Sequence, residues 1–432
     1  MDWVYISQLS KHIGEDIEIR GWLRRKRSSG KIHFLFLRDG TGFVQGIVEK
    51  SSVSEEVFRT AKKLKMESSI IVKGTVKSEE RAPGGVELLV KEIEVVSIPE
   101  YEFPINKPDH GIDFLMDNRH LWLRTQRQFH ILKVRHEIIK AIRDFYNERE
   151  FVLVDTPIFT GSIGESAGNL FELDYFDYGK AYLAQTGQLY LEAACMALGK
   201  VYNLGPTFRA EKSKTRRHLI EFWMNEAEVA YYKHEDNIKL QEELVSYVVR
   251  KVLENAHEHL GALKRDMKKL EKIVPPFPRI TYTEAIELLQ KKGFNVSWGD
   301  DIGGDEETAI AEEFDRPVVV EKYPRKMKAF YMQPDPENPD VVLCDDMLAP
   351  EGYGEIIGAS ERIWQKEVLV KRIKEFGLDL DSYDWYLDLR EYGTVPHSGF
   401  GMGVERVVSW ICGLEHVREA IPFARTLYRI HP

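Results

Sequence analysis

Over residues 1 to 100, apolar and polar positions alternate in short runs that predict strands: Ile17-Glu18-Ile19-Arg20-Gly21-Trp22, His33 to Arg38, and Phe43 to Val48. Asp39-Gly40-Thr41-Gly42 supplies a hairpin turn between the last two, because glycine adopts positive φ at little cost. A helix is predicted from Ser54 to Lys65, and two more strands, Ser69 to Lys77 and Val86 to Val96, lie on either side of Ala82-Pro83-Gly84-Gly85. Five strands with a helix between the third and fourth is the element order of an OB-fold β-barrel. Residues 1–100 are therefore expected to form one domain.

Pro104, Pro108 and Gly111 among polar neighbours mark residues 101–124 as a linker or hinge. The period then lengthens: Ile131, Val134, Ile138, Ile142 and Phe145 recur three or four apart and predict an amphipathic helix from Gln126 to Glu148. Phe151-Val152-Leu153-Val154 follows as a strand ended by Pro157. Beyond it, strands and helices mix without regular βα alternation, which predicts an α+β domain over residues 125–432, built on a largely antiparallel sheet with flanking helices. The acidic stretch Asp300 to Glu307 reads as an exposed loop.

Hydrophobic residues make up 43% of the 432 and charged residues 30%, a globular balance that leaves little room for disordered tracts. No run has the apolar length needed to cross a bilayer, and Met1-Asp2-Trp3-Val4 carries no basic leader, so a cytoplasmic chain is expected. Cys195, Cys344 and Cys412 lie far apart with no paired-cysteine motif, which predicts reduced thiols and no structural zinc. A net charge of −10 argues against non-specific coating of nucleic acid, although local basic clusters occur at Arg24 to Arg27 and at Lys212, Lys214, Arg216 and Arg217.

Three distant segments can be read as one nucleotide site. Phe208-Arg209-Ala210-Glu211, a basic loop from Lys212 to Arg217, and His218-Leu219-Ile220-Glu221-Phe222 suggest a hairpin with a phosphate-binding tip, for which arginine's planar fork is suited. Gly399-Phe400-Gly401-Met402-Gly403-Val404-Glu405-Arg406 leads into an apolar helical run and matches neither a P-loop nor a dinucleotide fingerprint. Cys344-Asp345-Asp346 and Gly354-Glu355 to Arg362 make the third segment, which is rich in carboxylates.

Together these segments resemble the class II aminoacyl-tRNA synthetases over almost the whole chain. The Gln126 helix with Pro157 is similar to motif 1, Phe208 to Phe222 to motif 2, and Gly401 to Arg406 to motif 3. An N-terminal OB barrel points to the aspartyl, asparaginyl and lysyl subgroup. The resemblance implies ATP and Mg²⁺ as cofactors, a homodimer through motif 1, and tRNA as partner. It assigns Arg209 to the α-phosphate, Arg406 to the γ-phosphate, Arg217 and His218 to the β and γ end, and Glu211 and Phe222 to adenine. Glu355 matches the magnesium ligand, with Asp346 or Asp345 as the second acid. In the barrel, Phe34 would stack on an anticodon base, Gln45 and Glu87 would bond base edges, and Arg24 and Arg27 would meet phosphates.

Within the subgroup the chain is most similar to the asparaginyl enzymes. Gln185-Thr186-Gly187-Gln188-Leu189-Tyr190-Leu191 ends in leucine where aspartyl enzymes carry a lysine for the substrate carboxylate. Glu226 matches the position facing the substrate side chain, Arg362 would hold its oxygen, and Glu165, Thr186 and Gln188 the α-amino group. Tyr386 to Arg390 and Pro396 to Gly399 point the same way. The expected reaction is activation of asparagine with ATP and its transfer to the 3′-terminal adenosine of tRNA(Asn). A relaxed aspartyl enzyme, or a synthetase-related asparagine synthetase, is the alternative.

Overall fold

The computed structural model describes residues 3–106, 110–162, 164–165, 169–213 and 215–432; Met1, Asp2, Pro108 and Lys214, named above, lie outside them. The chain divides into two compact units, Met1–Trp122 and Leu123–Pro432.

In the first unit, β1 (Asp16–Ser29), β2 (Ile32–Arg38), β3 (Phe43–Glu49), β4 (Ser69–Ser78) and β5 (Val86–Ser97) close into a barrel in the order β1-β2-β3-β5-β4. Between β3 and β4 runs α1 (Glu55–Lys63), whose first turn is capped by the Ser54 side chain accepting from the Val57 N–H. Strand alternation sends Ile17, Ile19, Leu35, Leu37, Val44 and Val48 into the core. A bulge between Leu23 and Arg25 resets that alternation, so Arg25 and Arg27 turn outward and pair across the strands with Phe36 and Phe34. The segment expected to be a plain linker carries two short helices, α2 (Ile112–Asp117) and α3 (Arg119–Trp122).

The second unit opens with α4 (Gln126–Asn147) and the edge strand β6 (Val152–Leu153), followed by a small sheet of β7 (Phe159–Thr160), β8 (Glu172–Asp174) and β9 (Lys180–Leu183). Then come α5 (Gln188–Leu198), β10 (Lys200–Phe208), β11 (Glu221–Ala230), α6 (His234–Asn255), α7 (His257–Ala262) and α8 (Met267–Leu270). The chain continues through β12 (Arg279–Thr281), α9 (Tyr282–Lys291), α10 (Gly304–Ala311), β13 (Val318–Glu321), β14 (Cys344–Ala349) and β15 (Gly354–Glu361). It ends with α11 (Lys366–Glu375), α12 (Asp384–Glu391), β16 (His397–Gly403) and α13 (Val404–Cys412).

Eight strands form one sheet in the order β12-β13-β14-β15-β16-β11-β10-β6, antiparallel except for the β12–β13 and β10–β6 pairs. One core unites the sheet residues Tyr202, Val229, Ile357 and Met402 with α4, α6 and α13. The stripe Ile131, Val134, Ile138, Ile142 and Phe145 is wholly consumed there, so it carries no information about a partner chain. Among the described residues no helix is long and apolar enough to cross a membrane.

Candidate active site

The central strands β14, β15, β16 and β11 form the floor of a cavity of about 1050 Å³. Arg209, Glu211, Arg217, His218, Phe222, Glu355 and Arg406 all line it, and so do Glu165, Thr186, Gln188, Glu226 and Arg362. The two sets singled out in the sequence therefore share one chamber.

Hairpin β10–β11 carries the basic loop at its tip. Arg209 lies over the Phe222 ring at 5.5 Å, and its buried Nε has no hydrogen-bond partner among the described residues. Arg406, in the first turn of α13, donates from Nη1 to the Glu355 carbonyl at 2.8 Å and to Glu355 Oε2 at 3.0 Å. His218 Nε2 stands 3.5 Å from Glu211 Oε2, and burial, with Arg406 nearby, holds the imidazole below its ordinary range. Arg217 does not reach freely into the cavity. Its Nη1 donates to Glu307 Oε2 at 2.8 Å, and its Nη2 to the Gly352 carbonyl at 2.6 Å.

This corrects the reading of the acidic stretch. Asp305 to Glu307 open α10, Glu307 accepts from the Glu355 backbone N–H at 3.0 Å, and the segment walls the cavity. Burial, reinforced by the charge of Glu355, pushes the Glu307 carboxyl up to about 7. The run of like charge borders the site through Glu307, while Asp300, Asp301 and Asp305 stay exposed as expected.

Alternation along β14 separates the two candidate aspartates. Asp346 turns to the cavity and accepts from Lys328 Nζ at 2.6 Å. Asp345 points to the other face, buried with its Oδ1 3.6 Å from His234 Nδ1. A Cβ on Gly358 would lie 3.2 Å from Glu355 Oε1 and 3.6 Å from Asp346 Oδ1, so this glycine leaves open the space between those two carboxylates. Burial and the charge of Glu355 raise the Asp346 carboxyl against the pull of Lys328. Two acids facing one gap suit magnesium, which binds through one or two carboxylates plus substrate phosphates.

Around the residues expected to hold the amino acid, the structure pairs the side chains differently from their order in the sequence. Glu226 is occupied: Thr186 Oγ1 donates to it, the Gly187 N–H reaches its two oxygens at 3.0 and 2.9 Å, and Asn203 Nδ2 approaches at 3.4 Å. Glu228, two residues along the same face of β11, meets Arg362 instead. Arg362 Nε donates to Glu228 Oε1 at 2.9 Å, and its Nη1 to Ser360 Oγ at 2.7 Å. The other Glu228 oxygen is buried without a partner among the described residues. A Cβ on Gly399 would sit 2.2 Å from Glu228 Oε1, so the glycine makes room for this carboxylate. Glu165 accepts from the Tyr331 hydroxyl at 3.2 Å, and the Arg362 guanidinium lies 5.4 Å from the same ring. Leu191 packs with Cys195 and Val201 in a small apolar cluster.

Residues 111–427 match the model of a family described as tRNA synthetases class II (D, K and N), and residues 17–96 that of the OB-fold nucleic acid binding domain. The chain belongs to the class II aminoacyl-tRNA synthetases of the D, K and N group. It is 56% identical to the asparagine–tRNA ligase of Symbiobacterium thermophilum over the full length of both chains. The asparaginyl-tRNA synthetase of Pyrococcus horikoshii, solved with asparaginyl-adenylate, superposes with a TM-score of 0.95 at 49% identity and 99% coverage of each chain. That of Entamoeba histolytica, also with asparaginyl-adenylate, gives 0.87 at 32% identity and 97% coverage of each.

The barrel of this class II synthetase presents an outer face built from the residues its sequence suggested, with one exception. Phe34 lies outside the barrel core, with the Arg27 guanidinium 4.7 Å from its ring. Gln45 and Glu87 pair across β3 and β5, with Gln45 Nε2 donating to Glu87 Oε1 at 2.7 Å. Phe36, which sequence reasoning missed, stacks on Phe43 at 5.5 Å and lies under Arg25 at 4.8 Å. Arg24 is not brought to this face: as the bulged residue it turns back onto Met66 Sδ at 3.1 Å and the Phe103 ring at 5.6 Å, half-buried.

Proposed function

We infer that the chain activates asparagine with ATP, forming asparaginyl-adenylate and pyrophosphate, and then passes asparagine to the 3′-terminal adenosine of tRNA(Asn). The observation that carries the choice of amino acid is the Glu228–Arg362 pair. A side-chain amide fits it at both ends: the NH₂ would donate to the unpartnered Glu228 oxygen and the carbonyl would accept from Arg362. A carboxylate in the same place would face Glu228 charge to charge, and burial makes such a contact costly. The alternative of a relaxed aspartyl enzyme needs a second cation there, and Leu191 supplies none.

The reaction needs no general base. The substrate carboxylate attacks the α-phosphorus, a carboxyl O–P bond forms as the bond to the β-phosphate oxygen breaks, and pyrophosphate leaves in line with the attack. Arg209, with its free Nε, would hold the α-phosphate, and Arg406 and Arg217 the outer phosphates. Asp346 and Glu355 would hold Mg²⁺, which when bound neutralises charge on the phosphates. Glu165, Thr186 and Gln188 would receive the α-ammonium, and Phe222 and Glu211 the adenine. Acting this way, the protein contributes fixed charge and orientation.

For tRNA, the outer barrel face with Phe34, Arg27, Gln45 and Glu87 would read the anticodon. We also propose a homodimer. The exposed edge strand β6, with Val152 42% and Leu153 44% exposed, supports a pairing surface next to Pro157. Charging of a tRNA(Asn) transcript with labelled asparagine tests the function: accumulation of asparaginyl-tRNA supports it, and charging with aspartate alone would reject it. Sedimentation near 50.1 kDa, the mass of one chain, would reject the dimer.

A further inference from the structure

Behind the amino-acid pocket lies a charged cluster that the adenylation chemistry above leaves unused. Glu192, on α5, is completely buried, and four side chains from three elements donate to its carboxylate. Gln188 Nε2 reaches Oε1 at 3.1 Å, and the Tyr386 hydroxyl reaches Oε1 and Oε2 at 2.7 and 2.8 Å. Arg390 Nη2 and His397 Nε2 reach Oε2 at 2.6 and 2.9 Å. Burial opposes the charge on Glu192, but Arg390 and the hydrogen bond from His397 hold its carboxyl well below the usual carboxylate range.

A buried charge network is a poor way to gain stability, since apolar packing of equal volume generally does as well. Gln188 gives this one a different use. Its side chain lines the cavity, and an amide can turn either its oxygen or its NH₂ toward a ligand. With Nε2 drawn back to Glu192, the oxygen is the atom left for the cavity. An α-ammonium has only donors, so it binds an oxygen and is repelled by an NH₂.

We propose that Glu192 is a positioning residue for the amino-acid pocket: it locks the Gln188 amide with its oxygen toward the substrate α-ammonium. The proposal rests on the synthetase reading above, and deepens it. The geometry predicts what an isosteric change does. In Glu192→Gln, the end facing Arg390 and His397 must be the amide oxygen, because both neighbours donate there. The new NH₂ then falls opposite Gln188, which must flip to accept from it, and the Gln188 NH₂ is turned on the substrate ammonium.

Exchanging the two residues repairs this. In Gln188→Glu with Glu192→Gln, position 188 has only acceptors, so it can take the NH₂ of the new glutamine and the ammonium together, with the total charge unchanged. Gln188→Glu alone sets two carboxylates against each other across a 3.1 Å contact.

The test is ATP–pyrophosphate exchange with purified full-length protein, measured for the parent, both single variants and the exchanged pair. Each single change should raise the asparagine KM about tenfold or more, the scale of one hydrogen bond to a charged group. The ATP KM should stay near the parental value. The exchanged pair should recover most of the loss. If one single variant cannot be purified, the other single variant against the exchanged pair gives the same comparison. An unchanged asparagine KM in Glu192→Gln, or an exchanged pair no better than the single variants, overturns the proposal. A parent protein that shows no asparagine-dependent exchange at all would instead overturn the synthetase reading on which it rests.

Discussion

Arg362 Nε donates to Glu228 Oε1 at 2.9 Å, and the second oxygen of that buried carboxylate has no partner among the described residues. A group with one satisfied and one open oxygen, beside a guanidinium, presents an acceptor and a donor side by side. Glu228→Gln keeps the shape and replaces the open acceptor with an amide that can turn either way. Its asparagine KM should rise about tenfold or more while aspartate loses its repulsion, so the preference between the two narrows. Parallel exchange assays with the two amino acids check this, and an unchanged preference would reassign the discriminating carboxylate.

The same carboxylate predicts a pH dependence. Burial pushes the Glu228 carboxyl up to about 8, against the pull of Arg362 and with the charge of Glu192 adding to the rise. A raised carboxyl gains its proton as pH falls through that value, and the neutral form neither repels a carboxylate nor accepts on its protonated oxygen. The ratio of asparagine to aspartate kcat/KM should therefore be largest on the alkaline side and decline as pH drops toward about 6. A ratio flat with pH contradicts the assignment.

Glu307 gives Arg217 its carboxylate partner, beside the Gly352 carbonyl that also holds it. Glu307→Ala should raise the ATP KM about three- to tenfold, as loss of one fixed charge-assisted contact implies, with the asparagine KM unaffected. Titrating exchange against each substrate separately distinguishes this from general damage, which would move both.

Phe34 lies outside the barrel core, so Phe34→Ala should leave the melting temperature close to that of the parent. Loss of a stacking platform worth ~1–3 kcal/mol should slow tRNA charging about tenfold or more and leave pyrophosphate exchange intact. A variant that melts early, or charges at the parental rate, removes Phe34 from the anticodon face.

Some of this was legible in the amino-acid order and some was not, for physical reasons. The barrel and α4 carry clean periods of 2 and 3.6 residues, which a linear reading detects because each element buries one face. Arg209, Glu355 and Arg406 stand in short motifs with a fixed local geometry. Glu228 was missed because Glu226 and Glu228 share one face of β11, and only the positions of Thr186, Gly187 and Arg362 in space tell them apart. Glu307 was missed because its partner lies 90 residues away and an acidic run in isolation reads as solvated. The bulge at Arg24 shifted one residue off the face its spacing implied, and no residue type announces that bulge. Leu191 was noticed for the cation it lacks, and the structure adds that its surroundings are apolar. Leu191→Lys should accordingly lower the melting temperature, because it sets a charge among apolar side chains, and should not create aspartate activity while Glu228 still opposes a second carboxylate.

The central claim is that this pocket selects an amide over a carboxylate. ATP–pyrophosphate exchange with the purified protein, run with each amino acid in turn, tests it most directly. Exchange with asparagine exceeding that with aspartate by about a hundredfold in kcat/KM, as one unpaired buried carboxylate contact implies, is the predicted result. Equal exchange with asparagine and aspartate would contradict it.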